Sequence, residues 1–139
     1  MNSEDAVPPL TPRAQQAIKF ATEEMATAGD QSMSTDHLLI GLTRLGSGVA
    51  ATMLQRLDIE PATLRNELKA PHPPCDAEDL KRILTSASNF ALRRNAKHLG
   101  TEHIFFAIVS DESCAGAMLL RRLGVENTTL RDEIAREIH

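Results

Sequence analysis

The 139-residue chain has no tryptophan and no tyrosine, and its aromatic side chains are four phenylalanines. It therefore lacks the usual stacking platform for single-stranded nucleic acid. It also lacks an excess of positive charge. Fifteen Lys and Arg against 19 Asp and Glu leave a net charge of −4, which argues against a general attraction to phosphate backbones. Long apolar runs are missing: the longest, Ile104 to Val109, is far short of a membrane span. The opening MNSEDAVPPL carries acids and no apolar stretch, so it is not expected to be a signal peptide. The two cysteines, Cys75 and Cys114, form neither a C-x-x-C pair nor a disulfide framework, a usage that suits a reducing cytoplasm. Val and Ile are scarce, at 4 and 8 residues against 18 Ala and 17 Leu. That is the composition of a helix former, poor in strand residues.

Catalytic signatures are absent too. No G-x-x-x-x-G-K-[ST] phosphate loop is present, so the chain is not itself a P-loop ATPase. No H-E-x-x-H or paired-cysteine metal motif occurs. The histidines are His37, His72, His98, His103 and His139, and the closest pair, His98 and His103, flanks an expected helix boundary at Gly100. Cys114 falls near the start of a short expected helix, a place that can lower a thiol pKa. No base can be assigned to it, and it reads as a small buried residue. The serines have no G-x-S-x-G context. The expectation is a protein without catalytic residues, metal or cofactor.

What the chain does have is an internal repeat. Thr35-Asp36-His37-Leu38 matches Thr101-Glu102-His103-Ile104 at an offset of 66. Without gaps, residues 14–68 overlay residues 80–134, and 13 of the 55 pairs are identical. The identities gather toward the end, at Leu54/Leu120, Arg56/Arg122, Leu57/Leu123, Glu60/Glu126, Leu64/Leu130 and Arg65/Arg131. Between the copies, Pro71-His72-Pro73-Pro74 reads as a short stiff linker. The organisation expected is one domain, with repeat one over 10–69, a linker over 70–75 and repeat two over 76–137.

Each copy reads as four helices. The first carries a 3.6-residue stripe, Ala14, Ala17, Ile18, Ala21 and Met25, matched by Leu80, Ile83, Leu84, Ala87 and Ala91. Thr11 and Pro12 form a helix start, and Gly29 a stop. The second helices begin at Thr35 and Thr101, and Ile104–Val109, apolar on all sides, reads as a buried central helix. The third helices present Met53, Leu54 and Leu57, or Leu119, Leu120 and Leu123. The fourth start near Pro61 and Asn127 and bury Leu64 and Leu68, or Leu130 and Ile134. A unit of about 60 residues makes a weak core alone. The fold class expected is therefore all-α: two four-helix repeats, about eight helices, packed with pseudo-two-fold symmetry.

The repeated Thr-Asp/Glu-His admits two readings. In the structural one, Thr35 and Thr101 cap their helices, Asp36 and Glu102 face the positive end of the helix dipole, and His37 and His103 bond the neighbouring connection. In the functional one, Asp36 and Glu102 are carboxylates at exposed helix starts, able to accept paired hydrogen bonds from a guanidinium.

These residues carry a family resemblance. Thr35-Asp36-His37-Leu38-Leu39-Ile40-Gly41-Leu42 is followed by Gly46-Ser47-Gly48-Val49-Ala50 and Leu54-Gln55-Arg56-Leu57-Asp58-Ile59. The second copy has Thr101-Glu102-His103 and Leu120-Arg121-Arg122-Leu123-Gly124-Val125, and the chain opens with Leu10-Thr11-Pro12-Arg13-Ala14. In this order they resemble the Clp N-terminal domain of AAA-type unfoldases of the ClpA, ClpB and ClpC types, over about residues 10–137. The resemblance implies a cytoplasmic, non-catalytic module for protein binding in proteolysis. It would recruit adaptor proteins or unfolded protein substrates to Clp unfoldase and protease subunits, with no nucleic-acid or membrane partner. Short accessory proteins of plant and cyanobacterial Clp complexes resemble it too. The alternative it allows is a free-standing regulatory scaffold that binds the Clp core or unfoldase without contacting substrate.

In ClpC-type members the domain is similar to a receptor for phosphorylated arginine. Carried over, the guanidinium ligands are Asp36 and Glu102, and Thr11 is the hydroxyl on the phosphate side. Thr11-Pro12-Arg13 of repeat one corresponds to Ala77-Glu78-Asp79 of repeat two. The carboxylates of Asp76, Glu78 and Asp79 repel phosphate at that helix start. The expectation is that Thr11 and Asp36 form the better phosphoarginine site, with Glu102 left to unmodified arginine or basic segments.

Overall fold

The computed structural model describes residues 8–69 and 78–137. The expected linker, with Cys75 and the residues around it, lies outside them. Among the described residues there are eight helices: α1 (Pro12–Ala28), α2 (Thr35–Arg44), α3 (Val49–Arg56), α4 (Pro61–Lys69), α5 (Asp79–Arg93), α6 (Thr101–Ser110), α7 (Ala115–Arg122) and α8 (Asn127–Glu137). The sole β feature among them is an isolated parallel bridge between Leu10 and Leu99.

Local chemistry sets the ends of α1. The Thr11 hydroxyl accepts a hydrogen bond from the Ala14 amide at 3.1 Å, Pro12 takes the first helical position, and Gly29 closes the helix at φ +77°. Its buried stripe is small, with Ala14, Ala17 and Ala21 all fully buried. This lets α2 approach closely at Gly41, where a Cβ would collide with the Ala17 carbonyl oxygen.

The second helix of each copy is central. Every residue of α2 from Thr35 to Thr43 is buried, and in α6 only Glu102 and Phe106 between Thr101 and Val109 are partly open. That accounts for the apolar run at Ile104–Val109: the helix has neighbours on all sides. Contacts between the copies come in exchanged pairs. α2 packs on α7 as α6 packs on α3, α4 on α7 as α8 on α3, and α1 on α6 as α5 on α2. Such reciprocity is the signature of a pseudo-two-fold axis, and α2 meets α6 across it.

Two details depart from the sequence reading. Leu57 lies one residue past the end of α3 and is 45% exposed, and its counterpart Leu123 is half-buried. The chain leaves the helix through a left-handed residue there, Asp58 at φ +60° and Gly124 at φ +88°, so the apolar stripe stops at Met53 and Leu54. In addition, α1 buries a charge: Glu24 is 8% exposed. It accepts both hydrogen bonds of an Arg65 fork, at 2.8 and 2.7 Å, and one from Arg44 at 3.1 Å. Repeat two solves the same position with an aromatic, Phe90, stacked on Phe106 with ring centroids 4.0 Å apart.

Candidate functional site

The Thr-Asp/Glu-His motifs occupy the first turns of α2 and α6. In each, the histidine reaches back over the turn: His37 Nδ1 accepts from the Ser34 amide at 3.1 Å and His103 Nδ1 from the Gly100 amide at 3.0 Å. This satisfies one otherwise orphaned backbone donor per helix. The outer ring nitrogens differ. His37 Nε2 meets the Asp30 carboxylate at 2.7 Å, whereas His103 lies edge-on to Phe90. Burial holds the His103 pKa below its ordinary value, with Arg94 pushing the same way and Glu102 opposing.

The two carboxylates part company. Asp36 is 4% exposed, which corrects the expectation of an exposed helix start. Its Oδ1 accepts from the Ser34 hydroxyl and from the His37 amide. The short side chain is thus drawn into its own helix cap. Glu102 is partly exposed. Repeat two has Gly100 where repeat one has Ser34, and the longer Glu102 side chain lies over the glycine, where a Cβ would collide with its carboxylate.

The threonines are not simple N-caps either. Thr35 is the first residue of α2, behind Ser34, and it ties the repeats together. Its hydroxyl donates to Asp79 Oδ2 at 2.8 Å and accepts from the Gly116 amide at 2.7 Å. Thr101 begins α6 behind Gly100 and is 4% exposed.

Thr11 pairs across the repeats. Its amide donates to the Leu99 carbonyl at 3.0 Å, and the Leu99 amide donates to the Pro9 carbonyl at 2.8 Å. These bonds tether the start of α1 to the residues entering α6. A cleft of about 620 Å³ results, lined by Thr11, Pro12, Arg13, Gln16, Leu45, Thr101 and Glu102. The expected pairing of Thr11 with Asp36 is therefore corrected: Asp36 lines a different cleft, with Glu24, Asp30, His37 and Arg65. Arg13 and Gln16 were not singled out from sequence. A signal for Arg13 existed, since the offset of 66 sets it against Asp79, a charge of opposite sign.

The cleft is electrostatically mixed. Arg13 is exposed, residues from the starts of α1 and α6, the positive dipole ends of those helices, line the cleft, and Glu102 supplies one carboxylate. Such a site can hold a ligand carrying both an anionic and a cationic group. Elsewhere, Cys114 caps α7, is fully buried, and donates to the Ile108 carbonyl. Burial raises its thiol pKa, the opposite of an activated nucleophile. No grouping of three or more His, Cys, Asp and Glu that could hold a metal occurs among the described residues. No single helix among them is long and apolar enough to cross a membrane.

A two-repeat, pseudo-symmetric α-helical domain with its cleft at the repeat junction is the class this geometry defines. The family model described as the Clp repeat (R) N-terminal domain matches residues 9–75 and 77–139, and the chain belongs to that family. A probable ATP-dependent Clp protease ATP-binding subunit of Chlamydia pneumoniae is 30% identical over 93% of this chain and 16% of its own. The negative regulator of genetic competence ClpC/MecB of Bacillus subtilis is 26% identical over 90% of this chain and 16% of its own. An uncharacterized protein of Mycobacterium tuberculosis is 29% identical over 86% of this chain and 49% of its own. The chain thus spans 16% to about half the length of these relatives. The crystal structure of the N-terminal domain of the chaperone ClpD from Arabidopsis thaliana superposes with a TM-score of 0.73 at 20% identity, covering 94% of this chain and 97% of that one.

Proposed function

We propose that the chain is a non-catalytic interaction module of a cytoplasmic Clp unfoldase or protease system, and that it recruits arginine-phosphorylated or basic protein segments. One observation carries the reading: Thr11, Arg13 and Glu102 line a single cleft although they come from different repeats. Glu102 would accept the paired N–H groups of a guanidinium. Thr11, Arg13 and the start of α1 would face the phosphate. Asp36, drawn into its own cap, stays outside this ligand set.

Calorimetric titration of free phosphoarginine tests it. Wild type should bind, and Glu102→Ala should lose about 10–150-fold in affinity, the usual cost of one charge-assisted contact. Asp36→Ala should change little beyond any loss of stability. No binding by wild type, or a larger loss from Asp36→Ala than from Glu102→Ala, rejects the reading.

A scaffold role has one observation in its favour. A cleft of about 710 Å³ opens across the two repeats, where apolar side chains such as Leu57, Ile59, Leu123 and Val125 are rimmed by charged ones such as Arg56 and Glu133. If the chain is a scaffold, purified Clp subunits should bind it, Leu57→Asp should weaken that binding, and Glu102→Ala should not.

A further inference from the structure

Asp79 is a buried carboxylate whose two oxygens both accept hydrogen bonds, and it lies where the sequence promised only repulsion. It is 1% exposed. Its Oδ2 accepts from the Thr35 hydroxyl and from the Ala115 amide, each at 2.8 Å, and its Oδ1 accepts from the Thr35 amide at 3.3 Å. The donors are the first residues of α2 and α7, one helix from each repeat. Asp79 is itself the first residue of α5. Three helix starts therefore converge on one carboxylate. The geometry is that of a bound anion, with the anion supplied by the chain.

The pseudo-two-fold axis generates a second such place. Exchanging each position for its counterpart 66 residues away in the other repeat replaces Thr35 by Thr101, Ala115 by Val49 and Asp79 by Arg13. The starts of α6 and α3 provide the same kind of donors, but the residue in the carboxylate's position is a cation. Its guanidinium lies close to this place: a Cβ on Gly48 would stand 3.4 Å from Arg13 Nη1 and 3.5 Å from the Thr101 hydroxyl. Thr35 spends its hydroxyl on Asp79 and Gly116. The Thr101 hydroxyl makes no hydrogen bond among the described residues, and Thr101, 4% exposed, lines the cleft.

We infer that the domain contains two pseudo-equivalent anion seats, that Asp79 permanently occupies the one at α2 and α7, and that each chain therefore takes a single anionic ligand group, at Thr101 and Arg13. The filled seat stands on the observed bonds alone. The open one deepens the reading given above for the Thr11–Glu102 cleft and rests on it. Asp79 sets valency: it converts a two-site repeat into a one-site receptor and also pins the repeats together.

Removing the resident carboxylate should expose the seat to a carboxylate in solution. Sodium formate is the probe, titrated at constant ionic strength against sodium chloride and followed through the backbone amide resonances of Thr35 and Ala115. In Asp79→Ala these resonances should shift saturably with formate and not with chloride. In wild type they should not move. Equal behaviour in wild type and variant, or no formate response in the variant, overturns the proposal. If Asp79→Ala is unfolded in chloride, recovery of helical circular dichroism in formate is the equivalent positive result, and failure to recover the negative one. Asp79→Asn keeps the volume but turns a donor toward donors. It should melt below wild type, and equal stability would show that the seat needs no anion. Calorimetry with phosphoarginine then reads valency, with one site per wild-type chain expected and two contradicting it. Absence of phosphoarginine binding would sink the reading of the cleft, while the formate result would still decide the filled seat.

Discussion

Glu24 sits between two arginines, and its carboxylate is held below its ordinary range. The main cause is the Arg65 fork, opposed by burial and helped by the charges of Arg65 and Arg44. A depressed carboxylate stabilises the fold above its unfolded value, near 4.5. That stabilisation is lost as pH falls through the lower folded value. Glu24→Gln should cost about 1–3 kcal/mol near neutral pH, the range for a hydrogen-bonded charge losing its partner, toward the low end because Arg65 is half in water. The difference from wild type should vanish in strong acid, as urea midpoints measured across pH would show. His103 behaves in the opposite chemical sense. Buried neutral, with its pKa lowered, it makes the unfolded chain the better proton binder below about 6.5, so stability should fall as pH drops from 7 toward 5. His103→Gln keeps an acceptor for the Gly100 amide and should flatten that slope. A slope unchanged in the variant would locate the titration elsewhere. Neither role was legible in the sequence. Glu24 lies within an alanine-rich stripe and looks solvated until Arg44 and Arg65 arrive from α2 and α4. The motif histidines were visible as a repeat, but their different neighbours, Asp30 and Phe90, depend on packing.

At the scale of helices, the repeat made most of the fold readable. The stripe of Ala14, Ala17 and Ala21, the Thr11–Pro12 start, the Gly29 stop and the all-round apolar α6 are local signals with local causes, and the helices formed where those signals lay. Leu57 shows where such reading stops. The helical spacing of Met53, Leu54 and Leu57 runs past the end of α3 at Arg56, to the residue just before Asp58 turns left-handed, and nothing in a 3.6-residue period marks that turn when the residue is not glycine. The contrast is measurable. Leu54→Ala and Leu120→Ala each empty a fully buried position and should destabilise by about 2–5 kcal/mol in chemical denaturation. Leu57→Ala should stay within about 1 kcal/mol. A neutral Leu54 or Leu120 variant would break the register that equates the two copies. The candidate site was half legible for a related reason. Thr11 and Glu102 stood out as motif residues, but their meeting depends on the Thr11–Leu99 and Leu99–Pro9 backbone bonds, and sequence periodicity carries no information about which repeat a helix start will face.

The two copies are not beads on a string, and the whole molecule should behave accordingly. α2 is buried from Thr35 to Thr43 because α5, α6 and α7 of the other copy cover what α1, α3 and α4 leave open. The same holds for α6 with the roles exchanged. Cutting between the repeats would therefore strip the central helix of each half of one wall and leave the Asp79 carboxylate without Thr35, and Thr35 without Gly116. A half of about 60 residues already buries too small a share of its surface to offset its conformational entropy comfortably. Neither peptide 8–69 nor peptide 78–137 should fold alone. Each should show weak helical circular dichroism and no cooperative melt. Mixed in equal amounts they should regain helix, with a midpoint that rises with concentration as association drives folding. Asp79→Ala in the second peptide should weaken that complementation, because two of the bonds across the junction, from the Thr35 amide and hydroxyl, end on its carboxylate. Cooperative melting of either peptide by itself would mean that the repeats are independent folding units, and that the junction cleft is a contact between finished parts instead of a product of their folding together.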